Sequence, residues 1–447
     1  MRLAMADTLQ PLLDDLTIPE DFTRYDTISE TDIIVRLENW RRRASTVLSD
    51  LRDHLEARQA LTLDEQARVV SAVALFEDEG PWVLQPARER ALELLERYAT
   101  PNVELLERIL NRHIRPLFQS NAHPSLNPST GRTLPRPAGG SLAQQDYYEG
   151  QVWKTNPGLV NLVSWCVKHT ESEVYERLWH LTIPPVMTLL DDYETRYKLR
   201  GIEIVADMLK KVPKGLLYRT GVDALLFSSL KTCLTFLQNP ETPDLIRSAV
   251  RTALQLVLLT TSPDTMQRFN QLCEILGNGI IGSVWMYATL NPDALEASLE
   301  VLPEVVRTLD IGTVRYLSAI IPQLVFPLLP VPENSQSTRF KLLSVAALAV
   351  VISVCAPRMP QWKDNILEGI LKCWVGLVDS GADDEKTRKL KIALRDVCAR
   401  LADTYPSVVD VEYARLLRVD SQMFEPLVGP LHDASLFFST TAIRSIS

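Results

Sequence analysis

The chain of 447 residues is 46% hydrophobic and 23% charged, enough apolar material for a large core, which argues against global disorder. Its net charge of −9 argues against a broad nucleic-acid surface, because neutralising phosphates with Lys and Arg supplies most of that affinity. Glycine, at 17 residues, is outnumbered by proline at 28, a balance that suits proline-punctuated helices better than glycine-dependent sheets or nucleotide loops.

Residues 1–118 read as a smaller N-terminal helical block. Arg41-Arg42-Arg43 is its compact basic cluster, and Glu38 and Asp50 flank it, so a solvated helix face is expected. Ala91, Leu94, Leu95 and Tyr98 follow the i, i+3, i+4, i+7 spacing of one helical stripe. The period stops over 119–150, where Pro124, Pro128, Pro135, Pro137 and Gly139-Gly140 predict a loop or linker longer than compact folds normally use. A larger helical array is expected over 151–420. Residues 421–447 read as a C-terminal tail, with Leu436, Phe437 and Phe438 beyond the array.

Inside the array, 183–209 is laid out as a helix pair. A helix entered through Pro184-Pro185 ends at Asp191-Asp192, a turn follows, and a second helix carries Leu199-Arg200 with Ile202, Val205, Ala206 and Leu209 as its stripe. The phase recurs: Asp191, Gln238 and Asp379 each stand nine residues before an arginine, Arg200, Arg247 and Arg388. An arginine there could reach the acidic turn of its own repeat or of the next one, tying neighbours together. Segment 223–259 is echoed by 364–401, with Asp223, Leu226, Leu230 and Lys231 matching Asp364, Leu367, Leu371 and Lys372. Ala253, Leu254 and Val257 match Ala393, Leu394 and Val397. The offset, about 140 residues, fits three or four repeats of ~35–47 residues. Asn239-Pro240, Asn291-Pro292 and Ala356-Pro357 supply stops. The apolar run 342–356 is short of the ~20 residues needed to span a bilayer, so a buried helix and no membrane partner are expected. The expected fold is an all-α, HEAT-like or armadillo-like helical-repeat solenoid.

Chemistry is sparse. Gly277-Asn278-Gly279-Ile280-Ile281-Gly282 spells GxGxxG, but a helical stripe of Phe269, Leu272, Cys273 and Leu276 precedes it where a dinucleotide fold needs a strand. The glycines are expected to end one helix and let the next begin. No Walker loop, HExxH or GxSxG occurs, and Cys166, His169 and His180 match no zinc spacing. Asp191 and Asp192 are explained by a repeat turn without acid–base chemistry. Trp153, Trp165, Trp179, Trp285, Trp362 and Trp374 read as core. The six cysteines are scattered and no secretory signal is evident, which makes the reducing cytoplasm or nucleus the expected home. No catalytic residue, cofactor or metal is expected, and no enzyme.

The stretch from Val152-Trp153-Lys154 through Trp165, His169 and LWHLTIPPVMTLLDDYETRYKLRGIEI resembles the Tti-two family, the TELO-two-interacting subunits of the TTT co-chaperone complex. A tryptophan-lysine pair, a Pro-Pro helix, a double aspartate and a basic-glycine step carry the likeness: Trp153, Lys154, Pro184, Pro185, Asp191, Asp192, Lys198, Arg200 and Gly201. The run 309–328 is similar too, and the likeness covers roughly 150–420. It implies a non-enzymatic scaffold that binds a larger HEAT-repeat subunit and the TELO-two subunit. With the ninety-kilodalton heat-shock chaperone, these would mature and stabilise kinases related to phosphatidylinositol 3-kinase. The alternative is a HEAT or armadillo adaptor or transport factor.

Overall fold

The helical apolar period is realised almost throughout a computed structural model that describes residues 9–58, 60–138, 147, 150–330 and 337–429. Among the described residues the strand-like pairing is one isolated antiparallel bridge, Leu126 with Thr133. Several helix starts are capped by short polar side chains. Thr62 and Glu65 form a capping box, and Asn102, Asn291, Ser337 and Asp384 each accept the backbone N–H three residues on. Asn239-Pro240 falls between helices, Asn291-Pro292 caps and opens one, and Ala356-Pro357 opens a 3₁₀ turn after another ends, so each pair marks a helix boundary as its turn chemistry predicts.

Two compact units divide the chain, Met1–Arg268 and Phe269–Ser447. The division is at 268, not near the expected boundaries of 118 and 151.

The first unit holds α1 Leu9–Asp15, α2 Thr31–Glu56, α3 Leu63–Val73, α4 Gln85–Leu95, α5 Val103–Ile109 and α6 Arg115–Gln119. After a non-helical strap, α7 Leu159–Lys168, α8 Tyr175–Leu190, α9 Thr195–Leu209, α10 Lys214–Thr220, α11 Val222–Cys233 and α12 Thr242–Thr260 follow. Helix α8 pairs with α9, and α11 with α12; α9 also packs on α12, and α8 on α11. First helices thus form one layer and second helices another.

The second unit repeats the scheme with α13 Met266–Cys273, α14 Pro292–Leu309, α15 Leu317–Val325, α16 Thr338–Val354, α17 Lys363–Asp379, α18 Glu385–Thr404, α19 Ala414–Val419 and α20 Ser421–Val428. Here α14, α16 and α18 pack in series while α15 packs on α17. Each unit is a HEAT-like stack of helix pairs, and the protein is all-α, as expected. The internal echo maps pair α11–α12 onto pair α17–α18, with Leu254 and Leu394 both buried. The apolar run 342–356 lies largely in α16, whose Val345, Leu348, Val351 and Ile352 are buried. Segment Pro292–Leu328 is apolar enough to cross a membrane, but it folds as α14 and α15 separated at Asp310, where φ is 53°.

Three expectations change. Pro184 and Pro185 lie in the middle of α8, which starts nine residues earlier at Tyr175. Lacking N–H groups, they remove two intrahelical bonds without ending the helix, because the buried stripe from Leu178 to Leu190 continues across them. Second, the GxGxxG does not break a helix. From Cys273 the chain runs on as a π-helix, Glu274–Trp285, whose wider turn brings Gly277 against the ring of Tyr316. A Cβ on Gly277 would stand 2.8 Å from Tyr316 Cε1, and the Tyr316 hydroxyl donates to the Cys273 carbonyl at 3.3 Å.

Third, residues 120–138 of the expected linker form a docked strap. The Trp179 indole donates to the Gly131 carbonyl (3.1 Å), Thr133 N–H donates to the Thr220 carbonyl (2.9 Å), and His123 meets Asp191. Backbone polar groups that leave helices here find partners on α8 and α10, which period counting does not reveal. Gly139-Gly140, Leu436, Phe437 and Phe438 lie outside the described residues.

Candidate functional site

The α8–α9 turn gathers most of the residues singled out in the sequence. Trp153, 1% exposed, comes from a short 3₁₀ turn, Val152–Thr155. It stacks on Phe118, with centroids 5.5 Å apart, and meets Tyr197 edge-on at 4.7 Å. Its indole N–H donates to Gln151 Oε1 (2.7 Å), so the one polar atom of a buried ring is satisfied.

Lys154 follows it into the turn. Its Nζ donates to Asp192 Oδ1 (2.9 Å) and Glu194 Oε1 (2.7 Å), and it lies 4.1, 5.5 and 5.3 Å from the ring centroids of Tyr193, Trp153 and Tyr197. Burial alone would lower the lysine's pKa, but the two carboxylates outweigh it and hold the ammonium above its ordinary value. Burial raises the Asp192 carboxyl, and the Lys154 bond and Glu194 N–H oppose it without reversing the direction. Glu194 is also desolvated, yet Lys154 and Arg196 hold it below the ordinary carboxylate range.

Asp191 turns the other way. His123 Nδ1 accepts the Ser125 N–H (3.2 Å), so Nε2 carries the proton and donates to Asp191 Oδ2 at 2.9 Å. The adjacent aspartates therefore hold two different elements, the strap and the Trp153 turn, and form no acid–base pair. One turn further, buried Lys198 donates to the Leu190 carbonyl at the C-terminus of α8 (2.8 Å), with its ammonium 4.7 Å from the Phe236 ring centroid. At Gly201 the two helices touch, and a Cβ there would stand 2.5 Å from Leu190 N.

Arg200 leaves the group. It reaches Asp78 (2.7 Å) and Glu203 (2.5 Å), so in place of the acidic turn of its own or the next repeat it ties α9 to the connection before α4. Arg247 pairs with Asp244 within its own helix, and Arg388 stands 4.0 Å from Asp383 in the turn before α18, so the three arginines share a phase and each meets an aspartate, but the aspartates stand in different places. Pro184 and Pro185 line a small hollow together with Phe118 and with Pro128 of the strap. Sequence reading missed Asp78, His123, Gln151 and Glu194. Only the acidic run at 77–79 and the histidine opening a proline-rich stretch hinted at them.

The remaining candidates resolve as packing. Arg41 pairs with Glu38 and Arg43 with Asp15, each at 2.6 Å. His169 stacks on Trp165 and bonds the Trp165 carbonyl, Cys166 is buried with its thiol pKa pushed up by desolvation, and His180 faces the strap. Of the six tryptophans read as core, five are buried and Trp362 is half-buried. Among the described residues no cluster of His, Cys, Asp or Glu could hold a metal ion.

Comparison with known proteins matches residues 69–334 to the model of a family described as the Tti2 family. The match starts inside the N-terminal helices, where no family motif was legible. TELO2-interacting protein 2 of the mouse is 24% identical over 231 residues, covering 50% of this chain and 43% of that protein, so the chain spans less than half of that relative's length. Among solved structures, an engineered protein aligns with 92% of this chain and 97% of its own at 13% identity and TM-score 0.39. Kap121p bound to Pho4p aligns with 92% of this chain and 48% of its own at 11% identity and TM-score 0.35.

Proposed function

The chain belongs to the Tti2 family, and from that premise we propose that it is a non-enzymatic scaffold subunit of the TTT co-chaperone complex. It binds the TELO-two subunit and a larger HEAT-repeat subunit, in the cytoplasm, the nucleus or both. With the ninety-kilodalton heat-shock chaperone, the assembly supports maturation and stability of kinases related to phosphatidylinositol 3-kinase. A role in a complex of this type follows the family; the kinase and chaperone steps are the finer part of the proposal. One observation carries the reading: within the matched region, Lys154, Asp191, Asp192, Lys198 and Arg200 are all engaged by other groups of the chain. Residues spent on locking helix pairs leave the outer helix faces as the working surface, which suits a scaffold.

The test is affinity purification of the tagged full chain from its own cells, followed by mass spectrometry and immunoblotting of the kinases after depletion. The expected result is co-purification of both subunits and a fall in kinase abundance. Recovery of a nuclear-transport GTPase in place of both subunits would instead support the transport-factor alternative.

A further inference from the structure

The tip of the strap carries a feature that the scaffold reading leaves unused. Asn127 opens a tight turn: its side-chain oxygen accepts the N–H groups of Ser129 (2.9 Å) and Thr130 (3.2 Å), and its carbonyl accepts Gly131 N–H (2.9 Å). Anchored by Trp179 and Thr220, the turn holds Ser129, Thr130 and Arg132 at the rim of a hollow of about 240 Å³. His180 and Glu176 from α8 and Arg219 from α10 line its other walls.

The lining is rich in donors and poor in acceptors. Arg132 is exposed, and its guanidinium has no hydrogen-bond or ion-pair partner among the described residues. Arg219 pairs with Glu176 at 2.6 Å, but both side chains are more than half exposed, so the pair is weak and can be shared with an incoming anion. Thr130 Oγ1 accepts the Arg132 N–H and keeps its proton to donate, and Ser129 is an exposed hydroxyl beside it. Two guanidinium groups, two hydroxyls and an imidazole thus face one acid, Glu176. That is the donor pattern which grips a compact oxyanion through charge-assisted bonds.

We propose that this hollow binds a phosphoryl group, the dianion of a phosphate monoester. Arg132 is the primary contact and Arg219 the second. The group has two possible sources with the same chemistry: a phosphate brought by another molecule, or one carried by Ser129 itself, whose Oγ would take the terminal phosphoryl of a nucleoside triphosphate in a protein kinase reaction that forms the Oγ–P bond, releases the nucleoside diphosphate and gives the hydroxyl proton to the kinase base. Either would fasten the strap tip to α10 by charge across the hollow.

Two arms separate the sources, both on the full chain at low ionic strength, where exposed charge is least screened. The first titrates inorganic phosphate and phosphoserine by calorimetry, with serine as control. Saturable binding weakened at least roughly tenfold by Arg132→Gln, with an unchanged melt, supports the site and an external source. The second installs phosphoserine at position 129 and follows amide exchange of residues 120–138. Slowed exchange that Arg132→Gln with Arg219→Gln restores supports the site and a source in the chain. Absence of effect in both arms, or effects that neither arginine substitution alters, overturns the proposal.

Discussion

Gly201→Ala separates close helix packing from helix propensity, because the two act in opposite directions. In an isolated helix interior alanine is better than glycine by about 1 kcal/mol. At position 201 the added Cβ would stand 2.5 Å from Leu190 N and 2.7 Å from Leu189 C and Leu190 Cα, all backbone atoms of α8 that cannot rotate away. Reaching ordinary contact requires α8 and α9 to part by about 1 Å, a gap that forfeits a quarter to a half of each facing dispersion contact. Overpacking of this kind costs up to about 3 kcal/mol, so the net loss is about 2 kcal/mol. The movement also pulls Lys198 from the Leu190 carbonyl and strains the turn that holds Asp192 and Glu194 to Lys154. For a unit of this size the melting temperature should fall by roughly 4–8 °C. Gly376→Ala is the control: it lies inside α17 with nothing within 4 Å of an added Cβ, and should gain about 1 kcal/mol. Thermal melts, with exchange mass spectrometry to assign each transition to its unit, provide the readout. A Gly201→Ala protein as stable as the parent would refute the reasoning.

Further outcomes follow from the same contacts. Lys154→Met strands the buried Asp192 carboxylate and should cost about 3–5 kcal/mol, with Lys154→Met/Asp192→Asn recovering part of it in a denaturation cycle. Leu394 is fully buried on α18, so Leu394→Asp should cost several kcal/mol and speed amide exchange first in the second unit; a normal melt would show the repeat phase to be wrong. Burial raises the Asp78 carboxyl, but Arg200 and Lys168 outweigh it, leaving the folded pKa below the ordinary 3.8. Its contribution is therefore present above that value and lost as pH falls through the lower folded one. Asp78→Asn should cost about 1.5–3 kcal/mol at neutral pH and flatten the acid limb of a stability–pH curve; an unchanged limb would place the acid sensitivity elsewhere.

What the sequence made legible depended on whether the signal was periodic. The apolar period of Leu390, Ala393, Leu394, Val397, Cys398 and Leu401 marks the inner face of α18, with every member buried but the half-buried Ala393, and the echo between 223–259 and 364–401 marks two true helix pairs, because every buried helix face must repeat its apolar positions. The middle of α8 was misread because a proline pair normally marks a helix start, whereas burial on the flanking turns sustains the helix through two missing donors. That the loop over 120–138 is docked was not legible for a related reason: its order comes from single bonds to Trp179, Asp191 and Thr220, 48 to 87 residues away in sequence.

The cluster around Trp153 shows the same divide from the side of function. Trp153, Lys154, Asp192 and Gly201 could be named from family likeness and Gln151 and Glu194 could not, and the assignment of all of them to one turn depended on Lys154 reaching Asp192 and Glu194 across 38 and 40 residues. Spacing within a helix encodes which residues share a face, but pairing across a turn of this kind is fixed only when the helices cross. Gly201 makes that crossing close enough, since any side chain there would hold α8 away from α9. A glycine without positive φ, inside a helix that propensity would rather fill with alanine, is thus the one sequence mark of the contact on which the whole cluster depends.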